Sequence, residues 1–145
     1  MSPDTLAARQ LLEAEGFTCV LRRGGEVYTT RLRGVRPLVG WLDSGLDLCR
    51  FCGADKVVGK ATAFLYCLLG VAEVYAGIMS EGALAVLQAQ GIQARFGTLV
   101  PHIINRQGDG ICPFEAAVDG ITDPQAALTA IRAKMKELNI DPSCR

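Results

Sequence analysis

The segment VAEVYAGIMSEGALAVLQAQGIQARFGTLV (residues 71–100) decides the fold class of this chain. Residues 71–79 are β-branched and apolar enough for a buried strand, and Ser80 then begins a capped helix that ends at Gly91. Residues 92–100 form a second predicted strand. Because a strand, a helix and a strand follow one another, we expect two parallel strands joined by a right-handed crossover.

The flanking segments predict a hairpin and further helices around this unit. Ser2 and Pro3 are typical of a helix start and Gly16 of a helix end, while Gly24 and Gly25 separate two segments of strand composition. We therefore predict an α/β fold, a three-layer α/β/α sandwich with a mixed sheet. The remaining predicted elements are helices at 37–43, 55–69 and 123–138, a helical turn at 113 and a short strand at 46–52.

Length and composition limit the class of protein. The 145 residues, half of them hydrophobic, fit one domain over residues 1–145. Fifteen basic and fifteen acidic residues cancel and no basic run stands out, which argues against nucleic acid as a partner. The longest apolar stretch, residues 61–72, is too short to cross a bilayer, and the chain start lacks signal-peptide character, so we expect a cytoplasmic protein without a membrane partner. We expect the six cysteines to be mostly reduced, since so apolar a chain needs no disulfides.

Two lysines, Lys56 and Lys60, stand at the front of the apolar segment DKVVGKATAFLYCLLG (residues 55–70). A helix with Asp55 as its N-cap would carry both cations on one narrow face with Gly59. That end of a helix favours negative charge, so the arrangement is a local conflict. Conflicts of this kind are expected at functional sites.

Three interpretations of this conflict are open. Both lysines could extend into solvent from the helix end. Alternatively, a bound phosphate or carboxylate would accept hydrogen bonds from the helix N–H groups and from both ammonium groups. In a sharper version, burial and the neighbouring Lys56 make Lys60 an amine nucleophile that forms a Schiff base with a sugar aldehyde.

A second helix start, at Ser80 and Glu81, directly follows the predicted strand. Taken alone it is an ordinary cap with an acidic residue that the helix dipole favours. Both helix starts should nevertheless lie at the same edge of the sheet, where α/β proteins bind ligands. We therefore expect Glu81 to orient or neutralise a lysine, or to act as an acid or base.

Residues 101–115 supply further candidates. Cys112 and Glu115 surround the start of a short helix, so either the thiol is activated by the helix field or the two residues form a plain capping pair. Asn105 and Arg106 lie in a glycine-bounded loop that could close over a ligand.

The cysteines also permit a metal-site hypothesis. Cys49 and Cys52 form a CxxC motif, which is a weak signal alone and would need His102 and Cys112 to complete a zinc site. We predict no metal ion and no cofactor, and keep a metal or redox protein as a minor alternative.

Several short motifs resemble those of a known family. They are similar to the prokaryotic family catalogued as domain of unknown function eighteen-ninety-three, from about the first helix to Glu115, while the C-terminal helix and tail (123–145) lie outside the matched motifs. The resemblance implies a cytidine-deaminase-like fold. The motifs are ADKVVGKA at 54–61, SE at 80–81, LVP at 99–101, NR at 105–106 and CPFE at 112–115.

The same resemblance bears on chemistry. Zinc deaminases carry H-x-E at one helix start and P-C-x-x-C at the next. The corresponding predicted starts here are DKVVGK and SEGAL, which contain neither histidine nor cysteine. The resemblance therefore implies a deaminase-like pocket of nucleotide size without zinc-dependent deamination.

The predicted function is the binding of a nucleotide or sugar phosphate, such as an ADP-ribose-like compound, at a lysine-containing pocket. If the protein is an enzyme, Lys60 and Glu81 are the expected catalytic residues. The alternative is a non-catalytic regulatory or scaffold protein that retained the fold, and in either case we expect a homodimer. The expected ligand-binding residues are Asp55, Lys56, Gly59, Ser80, Asn105, Cys112 and Glu115.

Overall fold

The computed structural model describes residues 1–105 and 107–141, and over these residues the chain forms six helices and five strands. None of the helices in this part of the chain is long and apolar enough to cross a membrane. In chain order the elements are α1 (Pro3–Glu15), β1 (Cys19–Arg23), β2 (Glu26–Thr30), α2 (Arg36–Ser44), β3 (Cys52–Val58), α3 (Lys60–Leu69), β4 (Glu73–Ser80), α4 (Glu81–Ala89), β5 (Gln93–Val100), α5 (Pro113–Ala117) and α6 (Pro124–Glu137).

The five strands form one mixed sheet in the order β2-β1-β3-β4-β5. β1 runs antiparallel to β2 and to β3, whereas β3, β4 and β5 are parallel to one another. The predicted hairpin and the predicted parallel pair of β4 and β5 are both present. The fold is therefore an α/β fold built on a mixed sheet.

Apolar side chains form two clusters on opposite faces of this sheet. On β1, Leu21 belongs to the larger cluster and its neighbour Val20 to the smaller one. Because adjacent residues of a strand point to opposite faces, α1 covers one face while α2, α3, α4 and α6 contribute to the cluster on the other. The smaller cluster consists of Ala8, Leu12, Val20, Ala54 and Tyr75.

Side-chain caps begin three of the helices where the sequence predicts them. The hydroxyl of Ser2 accepts a hydrogen bond from the backbone N–H of Thr5, and Ser80 caps α4 in the same way through Ala83. Asp123 caps α6. These caps satisfy N–H groups that have no partner within the helix, so the local signal fixes the helix start.

The prediction of a helix from Asp55 is wrong. Residues Cys52–Val58 form β3 between β1 and β4, and α3 begins only at Lys60, with Gly59 as its N-cap. The first four residues of β3 are all buried, so they show no alternation of buried and exposed positions, and periodicity cannot distinguish such a short strand from the start of the buried helix that follows it. The short strand predicted at 46–52 is also wrong, because only its last residue, Cys52, belongs to β3.

A row of close backbone contacts crosses the three parallel strands near their carboxyl ends. A Cβ atom added to Gly77 would lie 3.0 Å from the carbonyl oxygen of Lys56, and one added to Gly97 would lie 2.9 Å from the carbonyl oxygen of Gly77. Beyond this row Val58 is fully buried, whereas Val57 is 40% exposed. Val57 therefore lies at the surface although it is apolar.

Candidate functional site

The turn between β3 and α3 is held by a carboxylate from a distant helix. Oε1 of Glu115 accepts a hydrogen bond from the backbone nitrogen of Lys60 at 3.0 Å, and Oε2 accepts one from the backbone nitrogen of Ile103 at 3.3 Å. Glu115 is only 8% exposed. Gly59 has no side chain to cap α3, so the Glu115 carboxylate supplies the acceptor at this helix start.

Gly59 is packed closely against this arrangement. A Cβ atom at Gly59 would lie 3.0 Å from Cγ1 of Ile103 and 3.1 Å from both Cγ and Oε1 of Glu115. The backbone of Gly59 is extended, with φ of −94°, which any residue can adopt. A larger residue here would therefore have to displace the side chains of Glu115 and Ile103.

The side chain of Lys60 crosses the start of the next helix. Its Cβ, Cγ and Cδ atoms lie 3.4 to 3.7 Å from the position that a Cβ of Gly82 would occupy. Its Nζ atom lies 5.9 Å from the centre of the Phe64 ring. Lys60 is thus partly buried between the starts of α3 and α4 and is not free in solvent.

The other residues predicted at the second helix start have separate roles. Ser80 is fully buried, and its hydroxyl accepts a hydrogen bond from the backbone N–H of Ala83 at 3.1 Å. Glu81 is the exposed first residue of α4. The structure therefore places Gly59, Lys60 and Glu115 together and puts the first turn of α4 beside them.

Three further predicted ligand-binding residues lie on β3, in the loop after β5 and at the start of α5. Lys56 is an exposed residue of β3, so it does not share a helix face with Lys60 as predicted. Asn105 bonds within its own loop, donating to Asp109 at 2.9 Å. Cys112 precedes α5 but makes no capping hydrogen bond through its side chain. Arg106 lies outside the described residues.

Asp55 belongs to a buried polar cluster that the sequence analysis missed. The hydroxyl of Tyr66 donates to Oδ2 of Asp55 at 2.7 Å and lies 3.1 Å from the sulfur of Cys19. The Tyr66 ring packs so closely on Gly53 that a Cβ there would lie 3.3 Å from it. A lone acidic residue within an apolar strand was the only sequence signal for this cluster.

Burial governs the acid–base properties of these groups. Loss of hydration raises the pKa of Asp55 to about 7, even though hydrogen bonds from Tyr66, from the backbone of Val57 and Lys56 and from Cys19 favour the ionised form. Burial likewise raises the pKa of Tyr66 and of Cys19 well above their ordinary values, and the nearby Asp55 adds to both shifts.

The metal-site alternative finds no ligand set in the described part of the chain. Within residues 1–105 and 107–141, no group of three or more histidine, cysteine, aspartate or glutamate side chains converges as a metal site requires. Cys49 is exposed, whereas Cys52 is buried and lies 3.4 Å from the hydroxyl of Ser2.

A groove of about 460 Å³ lies at the end of the sheet where β4 and β5 begin, opposite the starts of α3 and α4. It is lined by the carboxyl ends of α3 and α4, including Cys67 and Gln90, by residues at the starts of β4 and β5, including Gln93, and by Arg50 from the segment before β3. None of the predicted site residues lines it. The predicted site and this groove are thus separate features of the molecule.

Comparison with known proteins agrees with the fold described above. A crystal structure at 2.70 Å of a DUF1893 family protein (TM1506) from Thermotoga maritima is similar, with a TM-score of 0.83, 23% sequence identity and 92% of each chain covered. No curated protein matches this chain. The sequence profile of DUF1893, a domain of unknown function, matches residues 7–135, so the match extends beyond Glu115 into α6, further than the quoted motifs. This chain therefore belongs to the DUF1893 family.

Proposed function

We propose that this protein binds a nucleotide or sugar phosphate, such as an ADP-ribose-like compound, where α3 and α4 begin. The observation that carries this proposal is the position of Lys60, whose methylene groups pack on Gly82 in the first turn of α4. Ligands of open α/β sheets bind beyond the carboxyl ends of the strands. Lys60 stands just beyond the end of β3, beside the helix that follows β4.

The positions of the Glu115 carboxylate and the Lys60 ammonium indicate where a phosphate would bind. Glu115 already accepts the hydrogen bond of the Lys60 backbone N–H, so a second anion at the start of α3 would be repelled. The first N–H groups of α4 have no acceptor within the helix and lie beside the Lys60 side chain. A phosphate group is therefore expected to bind on the α4 side of the Lys60 ammonium.

We infer a cytidine-deaminase-like, three-layer sandwich without zinc chemistry. The inference is supported by α1 covering one face of the mixed sheet and by the helices that contribute to the cluster on the other. The first turns of α2, α3 and α4 contain neither histidine nor cysteine, so the ligands of a deaminase zinc are lacking there. The proposal therefore includes no zinc-dependent deamination.

A catalytic version of the proposal uses Lys60 as an amine nucleophile. The neutral amine would add to the aldehyde carbon of an opened sugar, and loss of water would give an imine. Glu81, exposed at the start of α4, would donate and accept the protons of these steps. Cytoplasmic location and a homodimer belong to the same proposal.

Intact mass spectrometry tests binding and covalent chemistry together. The protein is incubated with a panel of nucleotides and sugar phosphates, with and without borohydride, and the same panel is followed by calorimetry. We expect a saturable ligand whose binding or adduct is lost in Lys60→Ala and retained in Lys136→Ala. Lys136 is a suitable control because it is an exposed lysine on α6 that belongs to neither helix start of the proposed site.

A non-catalytic regulatory or scaffold role is the second candidate. It is favoured by the tight packing at the β3–α3 turn, where a Cβ on Gly59 would lie 3.0 to 3.1 Å from side-chain atoms of Ile103 and Glu115. In this case Lys60 and Glu115 stabilise the turn and contact no ligand. The absence of both adducts and reversible binding across the panel would support this role and reject the first proposal.

A further inference from the structure

The buried cluster of Cys19, Asp55 and Tyr66 joins three elements of the fold. Cys19 lies on β1, Asp55 on β3 and Tyr66 on α3. Tyr66 is fully buried, and Asp55 is 8% exposed. The bond of 2.7 Å between the tyrosine hydroxyl and the carboxyl group is therefore a direct link between α3 and the centre of the sheet.

The Asp55 carboxyl has no cationic partner in the described part of the chain. The groups that face it are the Tyr66 hydroxyl from α3, the Cys19 thiol from β1 and the backbone N–H groups of Lys56 and Val57 on β3 itself. Its register partner on β4 is Ala76, which carries no charge. A carboxylate that is removed from water without a cation is costly, so the neutral acid is the form that burial favours.

We propose that Asp55, Tyr66 and Cys19 form a proton-linked latch that fastens α3 to the sheet, more firmly when Asp55 is protonated than when it is ionised. Once Asp55 loses its proton to solvent, the buried charge gains hydration whenever α3 moves away from β3. Local opening of α3 then becomes easier, although the native fold is retained. The raised pKa of Asp55, about 7, puts this change within the physiological pH range.

The latch also encloses the turn that carries Lys60. Asp55 lies four residues before Gly59 on β3, and Tyr66 lies six residues after Lys60 on α3. The bond between them closes a loop of chain that contains the Glu115-capped helix start. Opening of the latch would therefore loosen the segment that carries Lys60, whatever that lysine binds.

Amide hydrogen exchange tests the latch directly, without a ligand. Protection of the α3 amides is measured between pH 5 and pH 9, corrected for intrinsic exchange, and compared with the α6 amides of the same molecules. We expect α3 protection to fall by about tenfold per pH unit as the pH rises from 5 towards 7 and to level off above about pH 7, because the opened form loses the Asp55 proton at an ordinary carboxyl pKa whereas the closed form keeps it up to about pH 7. The Asp55→Asn variant should lose this dependence, whereas Asp119→Asn, which removes an exposed carboxyl, should keep it.

Two further measurements decide the proposal if Asp55→Asn does not fold. Tyr66→Phe removes a hydrogen bond that favours the ionised carboxyl, so the pH at which protection levels off should move higher. Carbon-13 NMR of the Asp55 carboxyl in the natural protein should show a titration at the pH where protection levels off. Parallel exchange profiles in the natural protein and Asp55→Asn would overturn the latch, as would a carboxyl that titrates near pH 4. Ligand binding plays no part in these readouts, so the latch and the proposed function can fail independently.

Discussion

The backbone nitrogen of Lys60 and the carboxylate of Glu115 are joined by a hydrogen bond of 3.0 Å, although 55 residues of chain separate them. The acceptor comes from α5, a helix of only five residues. The second oxygen of the same carboxylate binds Ile103, so one side chain connects α3 with the segment that follows β5. The stability of the candidate site therefore depends on Glu115.

Replacement of Glu115 is expected to destabilise the protein in proportion to the bonds lost. Glu115→Ala leaves the backbone N–H groups of Lys60 and Ile103 without their acceptor and should lower the free energy of unfolding by about 2 to 4 kcal/mol. Glu115→Gln keeps one oxygen acceptor and should cost about half as much. Urea denaturation measures both, and Glu81→Gln, at the exposed start of α4, should change the unfolding free energy by less than about 0.5 kcal/mol. Equal stability of Glu115→Ala and the natural protein would show that this carboxylate does not hold the turn.

A methyl group at Gly59 should be destabilising because of its neighbours. Gly59→Ala introduces contacts of 3.0 to 3.1 Å with Ile103 and Glu115, which we expect to cost about 1 to 3 kcal/mol. The clash with Glu115 disappears in Glu115→Ala, so the two substitutions should be less than additive. A double-mutant cycle in urea measures this coupling, and strict additivity would contradict the packing described here.

Two substitutions at Gly82 distinguish the effect of helix propensity on stability from the effect of the position of Lys60 on binding. An alanine fits at 3.4 Å from the lysine side chain, so Gly82→Ala should raise the unfolding free energy by about 0.5 to 1 kcal/mol. A leucine requires the Lys60 methylene groups to move, so Gly82→Leu should weaken any Lys60-dependent binding that Gly82→Ala retains. Equal loss of binding in both variants would mean that the α4 backbone matters more than the position of Lys60.

The lowered pKa of Glu73 should make the protein less stable in acid. Burial would raise the pKa of this carboxyl, but hydrogen bonds from Thr5, Ser2 and Arg95 outweigh it and lower the pKa to about 2. The unfolded chain binds the proton first as pH falls, so stability present above pH 4.5 is lost as the pH falls towards 2. The loss should amount to roughly 2 to 3 kcal/mol.

The Glu73→Gln variant checks this sign. Between pH 5 and pH 2.5 its urea midpoint should fall less than that of the natural protein. Glu13→Gln removes an exposed carboxyl that pairs with Arg9 and should follow the natural protein. If Glu73→Gln also follows it, then acid unfolding is governed by other carboxyl groups.

The sequence predicted those parts of the fold whose signals are local. Ser80 caps α4 and Gly16 ends α1 in a left-handed conformation, and each signal lies within a few residues of the boundary it sets. The strand over residues 52–58 was missed because its first four residues, 52–55, are all buried, so the alternation of buried and exposed positions is lost.

The candidate site was predictable only in part. Lys60 and Ser80 were singled out because they lie close in sequence to helix starts. The bond of Glu115 to Lys60 joins distant segments, and the bond of Asp55 to Tyr66 requires β3 and α3 to be packed together. Such pairings arise from the tertiary arrangement and leave no spacing pattern in one sequence.

The close passage of β4 and β5 gives the most direct test of the sheet. A Cβ at Gly97 would lie 2.9 Å from the carbonyl oxygen of Gly77, which is backbone and cannot turn aside as a side chain can. Gly97→Ala should therefore lower the unfolding free energy by about 2 kcal/mol or more. Gly25→Ala in the hairpin turn meets no atom of residues 1–105 and 107–141 within 4 Å and should change the unfolding free energy by less than about 1 kcal/mol. Because β5 is an edge strand, Gly97→Ala should also speed amide exchange in β5 more than in β3. If Gly97→Ala is as stable as the natural protein, then β4 and β5 pass at a greater distance than described.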